Sequence, residues 1–413
     1  MRLLFSHRDF ALLWWAGLLS IMGNWALQVA LPVYIFEQTG SALATGLMFA
    51  ASTLPRVLFG SVAGIYVDRW NRKKTLVITN ILLCVGLLPL LLVSSAQLLW
   101  LIYLIAFTQS VLSQFSSPAE NALLPLLVES KWLASANAMN ALNNNLARLI
   151  GPALGGLLMA SKGLALVVLF DASTFLLAAF LIGLIRQPKN SDADQESKQE
   201  APAPNLLREW LAGFTLIRQN RTVTILFAYI ALTALGEGVM AALFIPFVAE
   251  VLKGDSLAVG WLMSAQAVGG ILGCLVIAAI ATQFQPVKLF GWGSILVGLI
   301  DFVIFNYPAF ISGVGLGIIL FALAGLPVSA LQAGHMTIFQ EAVHDRYRGR
   351  IFGSYGTTMA LTNLTGIGLG GWLGDRIGII PVINIQAEVY FVGGVLVLLL
   401  LRHYYAERNV PLT

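Results

Sequence analysis

Charge is what this sequence has least of: only 11% of its 413 residues are Asp, Glu, Lys or Arg, against about 25% in ordinary soluble domains. So little charge cannot cover a water-facing surface. An apolar fraction of 58% with a strongly positive mean hydropathy makes lipid the expected solvent. Cysteine is nearly absent too. Cys84 and Cys274 both lie inside apolar runs and read as small buried hydrophobes, with no disulfide expected. There is no Gly-x-x-x-x-Gly-Lys-Ser/Thr phosphate loop, which excludes ATP hydrolysis by this chain, and no His-Glu-x-x-His or Gly-x-Ser-x-Gly to suggest an intramembrane enzyme. Net charge is only +4, so nucleic acid is not an expected partner, and neither metal nor cofactor is expected.

What the chain does have is apolar length. About 240 apolar residues at roughly 20 per bilayer crossing allow about twelve spans, and twelve apolar segments are found. The first six are 10–36, 43–67, 75–93, 98–117, 134–160 and 164–185; the second six are 222–249, 258–282, 287–305, 309–338, 351–374 and 379–402. Arg2, His7 and Arg8 ahead of the first segment resemble the start of a signal peptide. That segment runs on through Trp14, Trp15 and Trp25 without a small-residue cleavage site, so a retained helix is expected. Residues 187–221 lose their apolar character and gather Pro188, Asp192, Asp194, Glu196, Glu200, Pro202 and Pro204; this reads as a polar linker, helical near 206–217. The expected organisation is a six-helix bundle over 1–186, a cytoplasmic linker over 187–221 and a second bundle over 222–413.

Topology follows from the basic residues. With the N-terminus inside, 19 of the 24 Lys and Arg fall on the cytoplasmic side, three outside (Lys162, Lys253, Arg376), and Arg56 and Arg148 within helices. Both termini are thus expected in the cytoplasm. An internal repeat supports two halves. Gly40-Ser-Ala-Leu43-Ala44-Thr-Gly46 recurs 214 residues later as Gly254-Asp-Ser-Leu257-Ala258-Val-Gly260, and Pro32 recurs as Pro246. Gly151-Pro-Ala-Leu154-Gly155-Gly156 recurs 215 residues later as Gly366-Ile-Gly-Leu369-Gly370-Gly371. With six helices in each half the repeat is parallel, about an axis along the membrane normal.

Between the second and third segments stands Gly64-Ile-Tyr-Val-Asp68-Arg69-Trp-Asn71-Arg72-Lys73-Lys74. It resembles the Gly-x-x-x-Asp-Arg-x-Gly-Arg-Lys loop of the major facilitator superfamily, with Asn71 at the second glycine; Asn tolerates left-handed backbone, so the change is expected to be mild. In the fifth segment, Arg148-Leu-Ile-Gly151-Pro152-Ala-Leu-Gly155-Gly156 looks like the superfamily's antiporter motif, with Ala147 in place of its first glycine. The text around Ser117-Pro118-Ala119, Leu133-Ala134-Ser135-Ala136-Asn137 and Phe170-Asp171 is similar to the macrolide-efflux and enterobactin-exporter branch. The fourth segment has Ala106 ahead of Gln109-Ser110, where many drug antiporters carry an Arg, so coupling through that Arg does not transfer.

The resemblance implies an all-α membrane protein of twelve transmembrane helices in two pseudo-symmetric six-helix bundles. It also implies a latch in which Gly64, Asp68, Arg69, Arg72 and Lys73 meet the start of the eleventh helix near Arg346, Arg348 and Arg350; plain positive-inside anchoring is the alternative. Gly151, Pro152, Gly155 and Gly156 are expected either as a bendable gate or as simple close packing.

Ionisable groups inside hydrocarbon are costly and normally face a cavity or a partner. Glu237, Arg148 and Arg56, near helix centres, lead as charge-relay candidates, with burial of Glu237 expected to tune it for proton exchange; a fixed intramembrane ion pair is the alternative. Asp171, Asp301 and Glu388 are expected nearer the interfaces and partly hydrated. The resemblance places helices one, four, seven and ten around a central cavity, making Asn24, Gln28, Gln109, Gln332 and His335 candidate polar contacts. His335 is expected to be satisfied or wetted. Trp14, Trp15, Trp25, Phe107, Phe115 and Tyr229 could line the cavity, though most are expected to pack between helices or face lipid. Of Asn143-Asn144-Asn145 at least one must point inward or bond across helices; Asn144 or Asn145 is expected.

The function these features imply is secondary active efflux of small amphipathic molecules (drug, macrolide or siderophore-like) by alternating access. The expected energy source is the proton gradient, and the expected form is a monomer in the bacterial cytoplasmic (inner) membrane. A lipid or lysolipid translocase and a metabolite symporter of the same fold are the alternatives.

Overall fold

The structure, a computed structural model, describes residues 7–93, 95–186, 220–280, 283–343 and 348–401. Twelve long helices run through them. The first six are α1 (Arg8–Thr39), α2 (Ala42–Arg69), α3 (Arg72–Leu87, continued by a tighter turn at Leu88–Leu92), α4 (Leu99–Leu127), α5 (Leu133–Lys162) and α6 (Leu164–Gly183). The second six are α7 (Arg221–Pro246), α8 (Ser256–Ile280), α9 (Pro286–Asn306), α10 (Val314–Ala342), α11 (Arg348–Ile377) and α12 (Ile379–Leu400). Sequence ended the fourth span at 117; α4 instead winds on through Pro118 and Pro125.

Ten of the twelve are long and apolar enough to cross a membrane; α5 and α11 are the two below that mark. Their Asn, Thr and Gly residues lower the hydropathy for a structural reason. A Cβ built on Gly155 of α5 would lie 2.6 Å from Ala26 Cα on α1, and one on Gly366 of α11 would lie 3.0 Å from Leu235 Cα on α7. Small residues let these helices approach backbone to backbone, where dispersion contact and not apolar area holds membrane helices together.

Two compact units emerge, Met1–Tyr34 with Ala51–Pro204, and Ile35–Ala50 with Asn205–Thr413. In unit 1, α3 packs on α4 and α6, and α5 on α6; in unit 2, α7 packs on α11 and α12, α8 on α10, and α9 on α10 and α12. The tip of the α1–α2 hairpin, residues 35–50, packs with unit 2. The expected linker, 187–221, and its helical stretch lie outside the described residues apart from Asn220, which caps α7 through Thr222 and Val223 amides, and Arg221. The repeat has a backbone signature as well. Gly163 before α6 and Gly378 before α12, 215 residues apart, both take positive φ (+70° and +94°), a conformation that favours glycine.

Candidate transport site

Unit 2 contains a chain of polar side chains that runs through three helices. Tyr390 on α12 donates to Glu237 Oε1 on α7 at 2.5 Å, and the Tyr390 carbonyl accepts from Ser294 Oγ on α9 at 2.6 Å. Ser294 Oγ in turn lies 2.8 Å from Tyr229 Oη. One turn back on the same face of α12, Gln386 Nε2 donates to Asp301 Oδ2 on α9 at 3.3 Å. The two carboxyl groups therefore share one face of α12, but not one environment: Asp301 is buried, while Glu237 is exposed. Asp301 is thus buried where partial hydration is expected of it, while Glu237 has a partner in Tyr390, as expected of a charge inside a span, without being buried. Of the members, only Tyr229, Glu237 and Asp301 stood out in sequence. Tyr390, Ser294 and Gln386 carry no motif, and only their placement joins them.

His335 on α10 sits among the aromatic side chains of this core. It is buried, its Nε2 has no hydrogen-bond partner among the described residues, and Tyr229, Phe290, Phe339 and Tyr355 surround the ring at centroid distances of 5.1–6.2 Å. Gln332, also on α10, is exposed.

Unit 1 carries a related but inverted seam. Asp171 on α6 is fully buried, not partly hydrated, with Oδ1 accepting from Thr174 Oγ1 at 3.2 Å and Oδ2 without a partner among the described residues. It lies against Gly23 of α1, where an added Cβ would meet its carboxylate. By the 214- and 215-residue repeat, Gly23 corresponds to Glu237 and Asp171 to Gln386. The acid has changed sides of the same helix seam between the halves.

The remaining candidates divide between packing and open faces. Gln109 donates to the Leu83 carbonyl on α3 at 2.8 Å, and its Oε1 is buried without a partner among the described residues, so its amide serves the α3–α4 contact. Asn143, not Asn144 or Asn145, makes the cross-helix bond: it donates to the Trp14 carbonyl at 2.7 Å while Trp14 Nε1 donates to the Met139 carbonyl at 2.8 Å. Asn144 bonds its own helix at Asn140, and Asn144 and Asn145 are exposed. Asn24 is half-buried; Gln28, Arg56, Arg148 and Glu388 are exposed. Gly151, Pro152, Gly155 and Gly156 are all buried, with Gly151 and Gly155 against α1 residues 22–26. Cys84 is half-buried and Cys274 exposed, against the expectation that both are buried, and both are free thiols.

In the signature loop, the side chains of Gly64, Asp68, Arg69, Arg346, Arg348 and Arg350 lie outside the described residues. Two neighbours in the loop make contacts that the motif does not announce. Lys73 Nζ donates to the Ile185 carbonyl at 2.6 Å, beyond the C-terminal end of α6, where the helix dipole favours a cation. Asn71 is not left-handed; at φ −70° and ψ 110° it is extended and N-caps α3, accepting from Lys74 N at 3.0 Å. Arg72 is half-buried. A mainly apolar groove of about 600 Å³ opens between α3 and α4, lined by Trp70, Lys74, Ile78, Leu82, Leu112 and Phe115 among others.

Residues 4–411 match the model of the transmembrane secretion effector family, MFS_3. Macrolide efflux protein A of Streptococcus pyogenes is 26% identical over 368 residues, 88% of this chain and 89% of that one. The enterobactin exporter EntS of Escherichia coli is 27% identical over 422 residues, covering 100% of this chain and 96% of the other. Among solved structures, a bacterial homologue of the human lysosomal transporter Spinster, inward-facing and unoccupied, superposes with a TM-score of 0.71 at 15% identity, covering 98% of both chains. With the twelve-helix fold and an almost complete family match, this chain belongs to the transmembrane secretion effectors, multi-pass membrane transporters of the major facilitator type, and not to any enzyme family.

Proposed function

We propose that this chain exports small amphipathic compounds, macrolide-like or siderophore-like, out of a bacterial cytoplasm across the inner membrane, by alternating access of two bundles and in exchange for protons. The observation that carries the reading is Glu237: a carboxylate near the middle of an apolar span, held by Tyr390 yet exposed. A group of this kind is expensive in hydrocarbon unless it works at a water-accessible pathway. The export of macrolides or enterobactin named for the relatives supports the direction and the substrate class. Asp301, bonded to the same face of α12, is assigned as an interior partner in proton exchange, with Arg148 and Arg56 orienting substrate.

The test uses inverted vesicles carrying the protein, an imposed pH gradient and radiolabelled erythromycin. Uptake driven by inside-acid vesicles, lost in Glu237→Gln with normal protein levels, is the expected result. Unchanged gradient-driven transport by Glu237→Gln rejects its role, and transport in the same direction as protons rejects antiport. The groove between α3 and α4 favours one second reading, translocation of a lipid or lysolipid; competition by phospholipid and not by erythromycin would establish it.

A further inference from the structure

The tip of the α1–α2 hairpin is held in unit 2 by one carboxylate. Asp375, in the last turn of α11, accepts hydrogen bonds from Ser41 Oγ at 2.8 Å, Ala42 N at 2.7 Å and Leu43 N at 3.3 Å. These are the first groups of α2, whose unpaired N–H groups and positive dipole end attract an anion. Beside the carboxylate glycines let the surfaces close together: a Cβ on Gly371 would lie 2.7 Å from Leu43 Cα, and one on Gly46 3.0 Å from Ala242 Cβ. Arg376 does not take this acid; its guanidinium stacks 4.2 Å over the ring of Trp372 on its own helix.

The repeat shows how much of this α2 needs simply to begin. The corresponding start of α8 is Gly254-Asp255-Ser256-Leu257-Ala258, and Asp255 caps its own helix by accepting from Ala258 N at 3.0 Å. In α2, Ser41 already fills that place, accepting from Ala44 N at 3.1 Å. Asp375 is an addition to a helix that is capped without it, supplied by a distant part of the chain to a segment whose two flanks belong to unit 1. Its sequence setting repeats as well: Gly371-x-x-x-Asp375-Arg376 spells the same pattern as Gly64-x-x-x-Asp68-Arg69 at the other end of α2.

We infer that Asp375 is a positioning residue for transport, a clasp that seats the α1–α2 tip in unit 2 during one state of the cycle and lets it go in the other. The inference rests on the alternating-access reading above. Release leaves Ser41 as the cap, so α2 need not fray when the clasp opens. A cavity of about 570 Å³ beside it, lined by Phe36, Pro246, Glu250 and Ile379, gives the parted groups room for water.

Ser41→Cys and Asp375→Cys are combined with Cys84→Ala and Cys274→Ala. Oxidation or a short bis-methanethiosulfonate linker is expected to join the paired thiols in the resting protein and to lower erythromycin export at least about tenfold, with recovery on reduction. Full export by the joined protein overturns the clasp, as does failure of both reagents to join the thiols. A second measurement needs no substrate. Thr45 is fully buried one turn into α2, so Thr45→Cys, without other cysteines, should react slowly with an impermeant methanethiosulfonate. Adding Asp375→Ala should speed that reaction about tenfold, roughly 1.4 kcal/mol. An unchanged rate overturns the clasp. A faster rate in a protein that fails to export erythromycin supports the clasp and counts against the proposed substrate alone.

Discussion

Two glycines two residues apart on α11 should respond to the same substitution with opposite sign. A Cβ on Gly366 would lie 2.9 Å from Leu235 C and 3.0 Å from its Cα, and the Leu235 carbonyl oxygen is nearer still. Real Cβ contacts sit near 3.4–4 Å, so α7 and α11 would have to part by several tenths of an ångström along a seam that also includes Gly238 and Gly370. Backbone cannot turn aside as a side chain does, and overpacking of this kind costs about 1–3 kcal/mol. Gly368 has nothing within 4 Å of its added Cβ. There the only effects are helix propensity and lost unfolded-state freedom, which favour Ala by about 0.5–1 kcal/mol. Gly366→Ala and Gly368→Ala should therefore differ by about 1.5–4 kcal/mol. At roughly 2–4 °C per kcal/mol for a unit of about 200 residues, the melting temperatures should separate by about 3–16 °C, Gly366→Ala below the parent and Gly368→Ala at or above it. Tryptophan fluorescence on detergent-purified protein during heating measures this. Equal melting of the two variants, or the reverse order, would refute the packing of α11 on α7.

Three further outcomes follow from the contacts above. Asn143→Ala should cost about 0.5–1.5 kcal/mol by removing the hydrogen bond that ties α5 to the Trp14 carbonyl of α1, whereas Asn144→Ala, which bonds only its own helix, should stay within about 0.5 kcal/mol; the same melting assay distinguishes them. Lys73→Met should lower stability by about 1 kcal/mol through loss of the bond to the Ile185 carbonyl and leave export turnover intact, and a variant with normal stability but slow turnover would return Lys73 to the latch. Tyr390→Phe removes one hydrogen bond to Glu237 and should slow gradient-driven export roughly tenfold while erythromycin binding in a filter assay is kept; full export would leave Tyr390 without a part in transport.

The helix count and the repeat could be read from sequence because each depends on local chemistry. A span needs about twenty apolar residues wherever it packs, and duplicated glycines keep their spacing whatever surrounds them. The family could be read for the same reason, since Gly64 to Lys74 and Arg148 to Gly156 are continuous strings. Which of several equivalent residues does what could not be read. Asn143, Asn144 and Asn145 are chemically identical in sequence, and only the rotation of α5 against α1 turns the first toward Trp14. Asn71 and Lys73 sit inside a motif, yet their bonds are set by where α3 begins and where α6 ends.

Sequence alone thus determined that the solvent is lipid, that the chain carries an internal repeat and that this is a transporter, because composition and contiguous motifs carry that information residue by residue. Tertiary structure decided that Glu237 is exposed and Asp301 buried, that Tyr390, Ser294 and Gln386 belong with them, and that Asp375 reaches the start of α2 from more than 300 residues away. The physical reason is that a hydrogen bond between helices depends on how each is rotated and how closely its neighbours approach, and neither quantity is written in any single stretch of chain.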